Sequence, residues 1–163
     1  MRLVLYQPDI PQNTGTILRL AACLGLGADI VEPCGFVLND ARLRRAGMDY
    51  LERVDLRRHS SWDAFEAQRT HRLVLLTTHA PRAYTAFAFA PGDRLLLGRE
   101  SEGVPEAVHA AADARVRIPL MPGQRALNIA VAASMVTGEA LRQIGGFPDH
   151  PDATSHQPRE DTP

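Results

Sequence analysis

Residues 118–143 read IPLMPGQRALNIAVAASMVTGEALRQ, and the way this stretch is understood decides the fold. From residue 126 to residue 138 it has no charged side chain, which in a helix implies burial on more than one side. The uncharged part is too short to cross a bilayer, which takes about 20 apolar residues, so it is expected to be an interior helix of a globular domain. Ala130, Ala132, Ala133, Ser134 and Gly138 are small and let another backbone come close along that helix. Ahead of it, Pro119, Pro122 and Gly123 forbid regular helix and leave backbone N–H and C=O groups in a turn, where a polar ligand edge could pair with them. On its own the stretch favours the plainer reading, a tight turn leading into a core helix.

The chain of 163 residues is long enough for one domain with a continuous core that needs no disulfide or metal. A net charge of −1 argues against indiscriminate polyanion binding. All 18 basic residues are Arg. Guanidinium forks suit phosphate oxygens, but in a chain rich in Ala, Gly, Pro and Arg codon bias is the simpler explanation. Cys23 and Cys34 lack C-x-x-C spacing and suit a reducing, cytoplasmic setting as packing residues. Met1 leads straight into RLVLY, so neither a signal peptide nor a membrane anchor is expected.

Working along the chain, residues 2–6 read as a buried strand, followed by the loop QPDIPQNTG and a helix from about residue 16 to residue 24. A second strand is expected at 29–31. The run Gly25-Leu-Gly27 follows a helix instead of opening one and lacks a third glycine, so it is not a dinucleotide fingerprint. Asn39 or Asp40 can cap a short helix through Ala46, which Gly47 stops. Arg42, Arg44 and Arg45, with Arg53, Arg57 and Arg58, form a net positive run. Such a run is usually a solvated face, yet here it is the best candidate for contacting phosphates. Ser60 or Ser61 starts another helix, and strands are expected at 73–78, 95–97 and 114–118. Pro105 suits a first helical turn, which leaves residues 98–103 as a loop between a strand and a helix. Residues 1–146 read as a single domain, and the polar stretch 147–163 as a disordered tail.

Strands alternating with helices predict an α/β fold, a mostly parallel sheet with helices on both faces. Ligands collect outside the carboxyl ends of such strands. Three loops fall there: the one after Leu76, the one starting at Gly98 and the one after Ile118. They hold no G-x-S-x-G, P-loop or H-E-x-x-H, and the histidines show no metal spacing, so hydrolase and metalloenzyme readings are weak. What remains is a set of glycine-bearing loops with Asn13, Arg19, Glu100 and Arg125, suited to positioning a ligand and an electrophile.

Three motifs in this order resemble those of the SPOUT RNA methyltransferases: Asn13-Thr-Gly15-Thr-Ile-Leu-Arg19, Leu97-Gly98-Arg-Glu100-Ser-Glu-Gly103-Val-Pro105, and Ile118-Pro119-Leu-Met-Pro122 with Arg125-Ala-Leu-Asn128. The runs Glu32-Pro33-Cys-Gly35-Phe36 and Arg42-Leu-Arg-Arg-Ala-Gly-Met-Asp-Tyr50 further resemble the small members that methylate the ribose 2′-oxygen of the tRNA wobble nucleotide. The similarity covers roughly residues 2 to 146.

The resemblance implies a SPOUT-type fold with a carboxyl-terminal trefoil knot that binds S-adenosyl-L-methionine, and a homodimer acting on the anticodon stem-loop of tRNA. By the same resemblance Leu76, Gly98, Glu100, Gly103, Ile118, Leu120, Ala126 and Leu127 contact the cofactor, largely through backbone. Arg19 is expected beside the ribose hydroxyl, with Asn13 and Asn128 holding the loops together. Neither a metal nor a membrane is expected. The chain departs from the family pattern at Glu102, Ala126, Ala130, Val131 and Gly138, which removes side-chain hydrogen bonds near the cofactor and the interface. The alternatives are ribose methylation at another tRNA or rRNA position and a catalytically silent RNA-binding module.

Overall fold

The structure is a computed structural model that describes residues 1–37 and 54–149. Its centre is a six-stranded sheet in the order β3-β2-β1-β5-β4-β6. The strands are β1 (Arg2–Tyr6), β2 (Gly27–Val31), β3 (Leu56–His59), β4 (Leu73–Leu76), β5 (Arg94–Leu97) and β6 (Ala114–Val116). Every pairing is parallel; in register, Leu5 lies between Ile30 of β2 and Leu97 of β5. Apolar runs such as LVLL and LLL are buried on both faces, as a parallel sheet covered by helices requires.

Helices α1 (Pro11–Cys23) and α4 (Ile129–Ile144) pack against each other on one face, over Leu3, Leu5, Leu95 and Leu97. Helices α2 (Trp62–Glu66) and α3 (Glu106–Ala111) cover the other, where Phe65 and Val108 meet Val4, Leu75 and Leu96. The Ser61 hydroxyl caps α2, accepting from the Ala64 N–H at 3.1 Å.

The structure departs from the sequence reading in several places. Helix α1 begins at Pro11, five residues before the expected start, because a proline in the first turn has no N–H to lose and Gly15 is buried within the helix. Strand β3 forms where the arginine run reads as a charged face: Arg57 and Arg58 are exposed at the sheet edge while His59 turns inward. The last strand stops at Val116. Helix α4 starts only at Ile129 and is not buried all round, since Val131 is 50% and Met135 40% exposed. A Cβ on Gly138 would meet nothing within 4 Å, so that glycine serves no close approach within one chain. The helix expected at 39–46 and Arg42, Arg44 and Arg45 lie outside the described residues.

A charged network ties the amino-terminal half of the sheet together. Asp29, fully buried in β2, accepts from Arg2 Nε at 2.7 Å and lies 2.9 Å from His59 Nε2 and 3.6 Å from Arg94 Nη1. Burial pushes the Arg94 guanidinium below its ordinary pKa, against the pull of Asp29. The opposite rim, at the strands' carboxyl ends, is left to loops.

Candidate functional site

Loop geometry builds the site. After β5, residues 98–103 close on themselves: the Arg99 N–H donates to the Gly103 carbonyl at 2.8 Å and the Gly103 N–H returns to the Arg99 carbonyl at 2.9 Å. A side chain on Gly98 would put its Cβ 2.7 Å from the Gly103 carbonyl carbon, and Gly103 itself has φ +69°. Both positions therefore need glycine, one for close approach and one for backbone angle.

Asp9, in the loop after β1, accepts from the Glu100 N–H at 3.1 Å, the Ser101 N–H at 3.2 Å and the Ser101 hydroxyl. Partial burial acts to raise the Asp9 pKa, but the hydrogen bonds from Ser101 and Glu100 outweigh it and hold the carboxyl below the usual range. The Asn13 side-chain amide donates to the Glu100 carboxylate, and its Oδ1 accepts from Asn128 Nδ2 at 3.0 Å. Asn128 Oδ1 in turn caps α4, accepting from the Ala130 and Val131 N–H groups at 2.9 and 3.3 Å. One chain of side chains, Glu100–Asn13–Asn128, thus joins the loop after β5, the first turn of α1 and the start of α4.

Beyond β6, Arg117 exchanges backbone hydrogen bonds with Arg82 and Tyr84 and donates from its side chain to the Ala80 and Pro81 carbonyls. This ties the start of the 117–128 segment to the loop after β4. Between them and residues 98–104 opens a cavity of about 830 Å³, within the range of small-molecule sites. Its wall includes Leu76, Gly98, Glu100, Gly103, Ala126 and Leu127, six of the eight positions expected to touch a cofactor. Ile118 and Leu120 do not line it, and Ile118 packs half-buried on the core.

Asn13 is within this constellation, whereas Arg19 projects from the exposed side of α1 and lines no described cavity. Sequence reasoning missed Asp9 and the cavity-lining His79 and His109. His109 accepts from Arg115 Nε at 3.1 Å through Nδ1. Only the fold could have shown that contact, although Asp9 sits beside a quoted motif. Leu127, Val131 and Met135, at fourfold spacing, leave an exposed apolar stripe beside the cavity. Among the described residues no cluster of His, Cys, Asp or Glu could hold a metal ion, and no helix is long and apolar enough to cross a membrane.

Residues 1–138 match the model of the SpoU rRNA Methylase family. The chain belongs to that family. A SpoU relative from Beijerinckia indica, named tRNA (cytidine(34)-2′-O)-methyltransferase, is 64% identical over 148 residues, covering 89% of this chain and 92% of the relative. A solved structure described as giving structural insights into the 2-OH methylation of C/U34 on tRNA superposes with a TM-score of 0.82 at 41% identity, covering 89% of this chain and 91% of that one. The SpoU methyltransferase AviRb from Streptomyces viridochromogenes, solved in complex with AdoMet, superposes with a TM-score of 0.76 at 28% identity, covering 88% of this chain and 60% of AviRb. The sheet and motif loops described above are accordingly those of a SPOUT-type methyltransferase fold.

Proposed function

We propose that this chain transfers a methyl group from S-adenosyl-L-methionine to the ribose 2′-hydroxyl of the wobble pyrimidine in certain tRNAs. The observation that carries this reading is that the second and third motif loops line one cavity and are tied to the first motif through Glu100–Asn13–Asn128. The residues present fit the cofactor. Leu76, Val104 and Leu127 offer apolar surface to an adenine ring, backbone groups of residues 98–104 and 125–128 can pair with polar edges, and Glu100 supplies negative charge for a cationic ligand. The departures at Ala126 and Val131 leave these backbone contacts in place.

The bound sulfonium supplies an already activated methyl group. What the chain's residues contribute is alignment and help with the hydroxyl proton. Asn13 and Asn128 hold Glu100 and the start of α4 in fixed relation. A guanidinium stays protonated and makes a poor base, so the role of Arg19 in this reading is to orient the substrate phosphate and stabilise the forming alkoxide. A homodimer reconciles that role with its place on α1: a second copy seated on Leu127, Val131 and Met135 would bring another α1, with its Arg19, beside the cavity. Arg19→Ala is then expected to abolish methyl transfer while S-adenosylmethionine affinity is retained.

Two further elements belong to this reading. The segment 117–128 passes through the 77–93 connection as a trefoil knot, supported by Gln143 of α4, which bonds the backbone of Phe87 and Phe89 in that connection at 3.0 and 2.9 Å. Arg42, Arg44 and Arg45 take the anticodon stem-loop's phosphates, in a cytoplasmic enzyme whose domain spans 1–146. The test is incubation with methyl-labelled S-adenosylmethionine and unmodified tRNA, followed by nuclease mapping. Label in the wobble ribose is expected. Label at another tRNA position, in rRNA only, or nowhere would overturn the assignment, the last outcome favouring a silent RNA-binding module.

A further inference from the structure

We propose that Asp9 is a positioning residue of this site: its carboxylate caps the Glu100–Ser101 turn and so aims Glu100 at Asn13 and holds the cavity wall in its binding form. This rests on the methyl-transfer reading above. Three donors converge on the one carboxylate, two backbone N–H groups and a hydroxyl, all from a loop more than 90 residues away in sequence. Arg99 Nε stands a further 3.9 Å off.

Glu100 is consequently fixed at both ends. Its N–H is held by Asp9, and its carboxylate is held by Asn13, four residues further along the chain in the first turn of α1. Besides Asp9, the turn is closed by the Arg99–Gly103 backbone bridge and by the largely exposed Arg99–Glu102 ion pair at 3.0 Å, and Glu100, Ser101 and Glu102 are exposed. Without Asp9 the two N–H groups would pair with water, so the fold would lose little. The loop would lose its single geometry, and a site that must be assembled before it binds loses affinity in proportion.

Asp9 is in turn braced from behind. The Gly35 N–H donates to the Pro8 carbonyl at 2.9 Å, and a Cβ on Gly35 would lie 2.9 Å from Asp9 Cα and 3.0 Å from Asp9 Cβ. Gly35→Ala therefore displaces Asp9 without altering its charge, which separates its placement from its chemistry.

The test measures S-adenosylhomocysteine affinity by calorimetry, together with kcat, KM and melting temperature, for the wild type, Asp9→Ala, Asp9→Asn, Gly35→Ala, Glu100→Gln and the Asp9→Ala/Glu100→Gln double variant. Asp9→Ala is expected to weaken binding roughly ten- to hundredfold, the range for losing hydrogen bonds to a charged group, with the melting temperature nearly unchanged. Asp9→Asn, which keeps one acceptor oxygen, should fall between, as should Gly35→Ala. On kcat/KM, Asp9→Ala should cost much less in the Glu100→Gln background than alone, because the two residues act as a unit. Wild-type affinity and kcat/KM in Asp9→Ala, or fully additive effects in the double variant, would overturn the proposal. If Asp9→Ala fails to fold, Asp9→Asn and Gly35→Ala decide in the same way. Absence of binding by the wild type would instead refute the methyl-transfer reading.

Discussion

Replacing Gly98 with Ala puts a single methyl group where the loop after β5 folds back on itself. The new Cβ would stand 2.7 Å from the Gly103 carbonyl carbon and 2.9 Å from both its Cα and its oxygen, all backbone atoms that cannot swing aside. Forcing such a methyl into a packed site costs about 1–3 kcal/mol, and the loop's way out is to open, giving up the two Arg99–Gly103 hydrogen bonds at about 1 kcal/mol each. A shift of about 2–3 kcal/mol toward the open loop lowers cofactor affinity by at most roughly 30- to 150-fold, because only the closed form binds. Gly103→Ala is the control. Its added Cβ meets nothing within 4 Å, so it pays only for φ +69°, about 1–2 kcal/mol or roughly a 5- to 30-fold loss. Calorimetry with S-adenosylhomocysteine reads both variants, alongside thermal melts. The sheet does not depend on the loop, so both variants should still fold, with melting temperatures lowered by about 2–4 °C per kcal/mol at this chain length. Wild-type affinity in Gly98→Ala, or a larger loss in Gly103→Ala than in Gly98→Ala, would refute the steric reasoning.

Asp29→Ala leaves Arg94 and Arg2 without their buried counter-charge and should cost about 3–5 kcal/mol in urea unfolding; a cost below about 1 kcal/mol would show that the network is dispensable. Hydrogen bonds, to Asp113 from the Leu73 N–H and Arg69 and to Asp55 from Arg2, depress both carboxyl pKa values. A depressed folded-state pKa gives stability that is present above the unfolded value, about 3.9, and lost as pH falls through the folded one, so stability should decline below about pH 4. Asp113→Asn should remove part of that acid slope in a urea series across pH, and an unchanged slope would assign the decline elsewhere. Val131→Arg with Met135→Arg should yield monomers in sedimentation equilibrium and abolish methyl transfer; a wild-type monomer would contradict the dimer directly.

The parallel sheet was legible because its strands are short apolar runs, buried on both faces and separated by loops rich in glycine and proline. Strand β3 was not, since an edge strand needs only one inward residue, His59, and its arginines mimic a solvated surface. Pro11 and Gly15 read as loop residues, although one is tolerated in a first turn and the other is buried within the helix. The uncharged face of α4 reads the same whether covered by the sheet or left bare, and Val131 and Met135 are bare within one chain. Six of eight expected contact positions line the cavity because the motifs carry glycines and loop junctions. Ile118 packs half-buried against the core, as an apolar residue near a strand's end readily does. The clamp on residues 100 and 101 by Asp9 joins loops far apart in sequence, and no local pattern encodes such a contact.

The most direct measurement is a crystal structure of the protein grown with S-adenosylhomocysteine. Density for the ligand is expected between residues 98–104 and 125–128, with Glu100 still bonded to Asn13 and Asn13 to Asn128. Ligand density anywhere else on the molecule, or a cavity that stays empty while calorimetry records binding, would contradict the convergence of the three motif loops on one methyl-donor site.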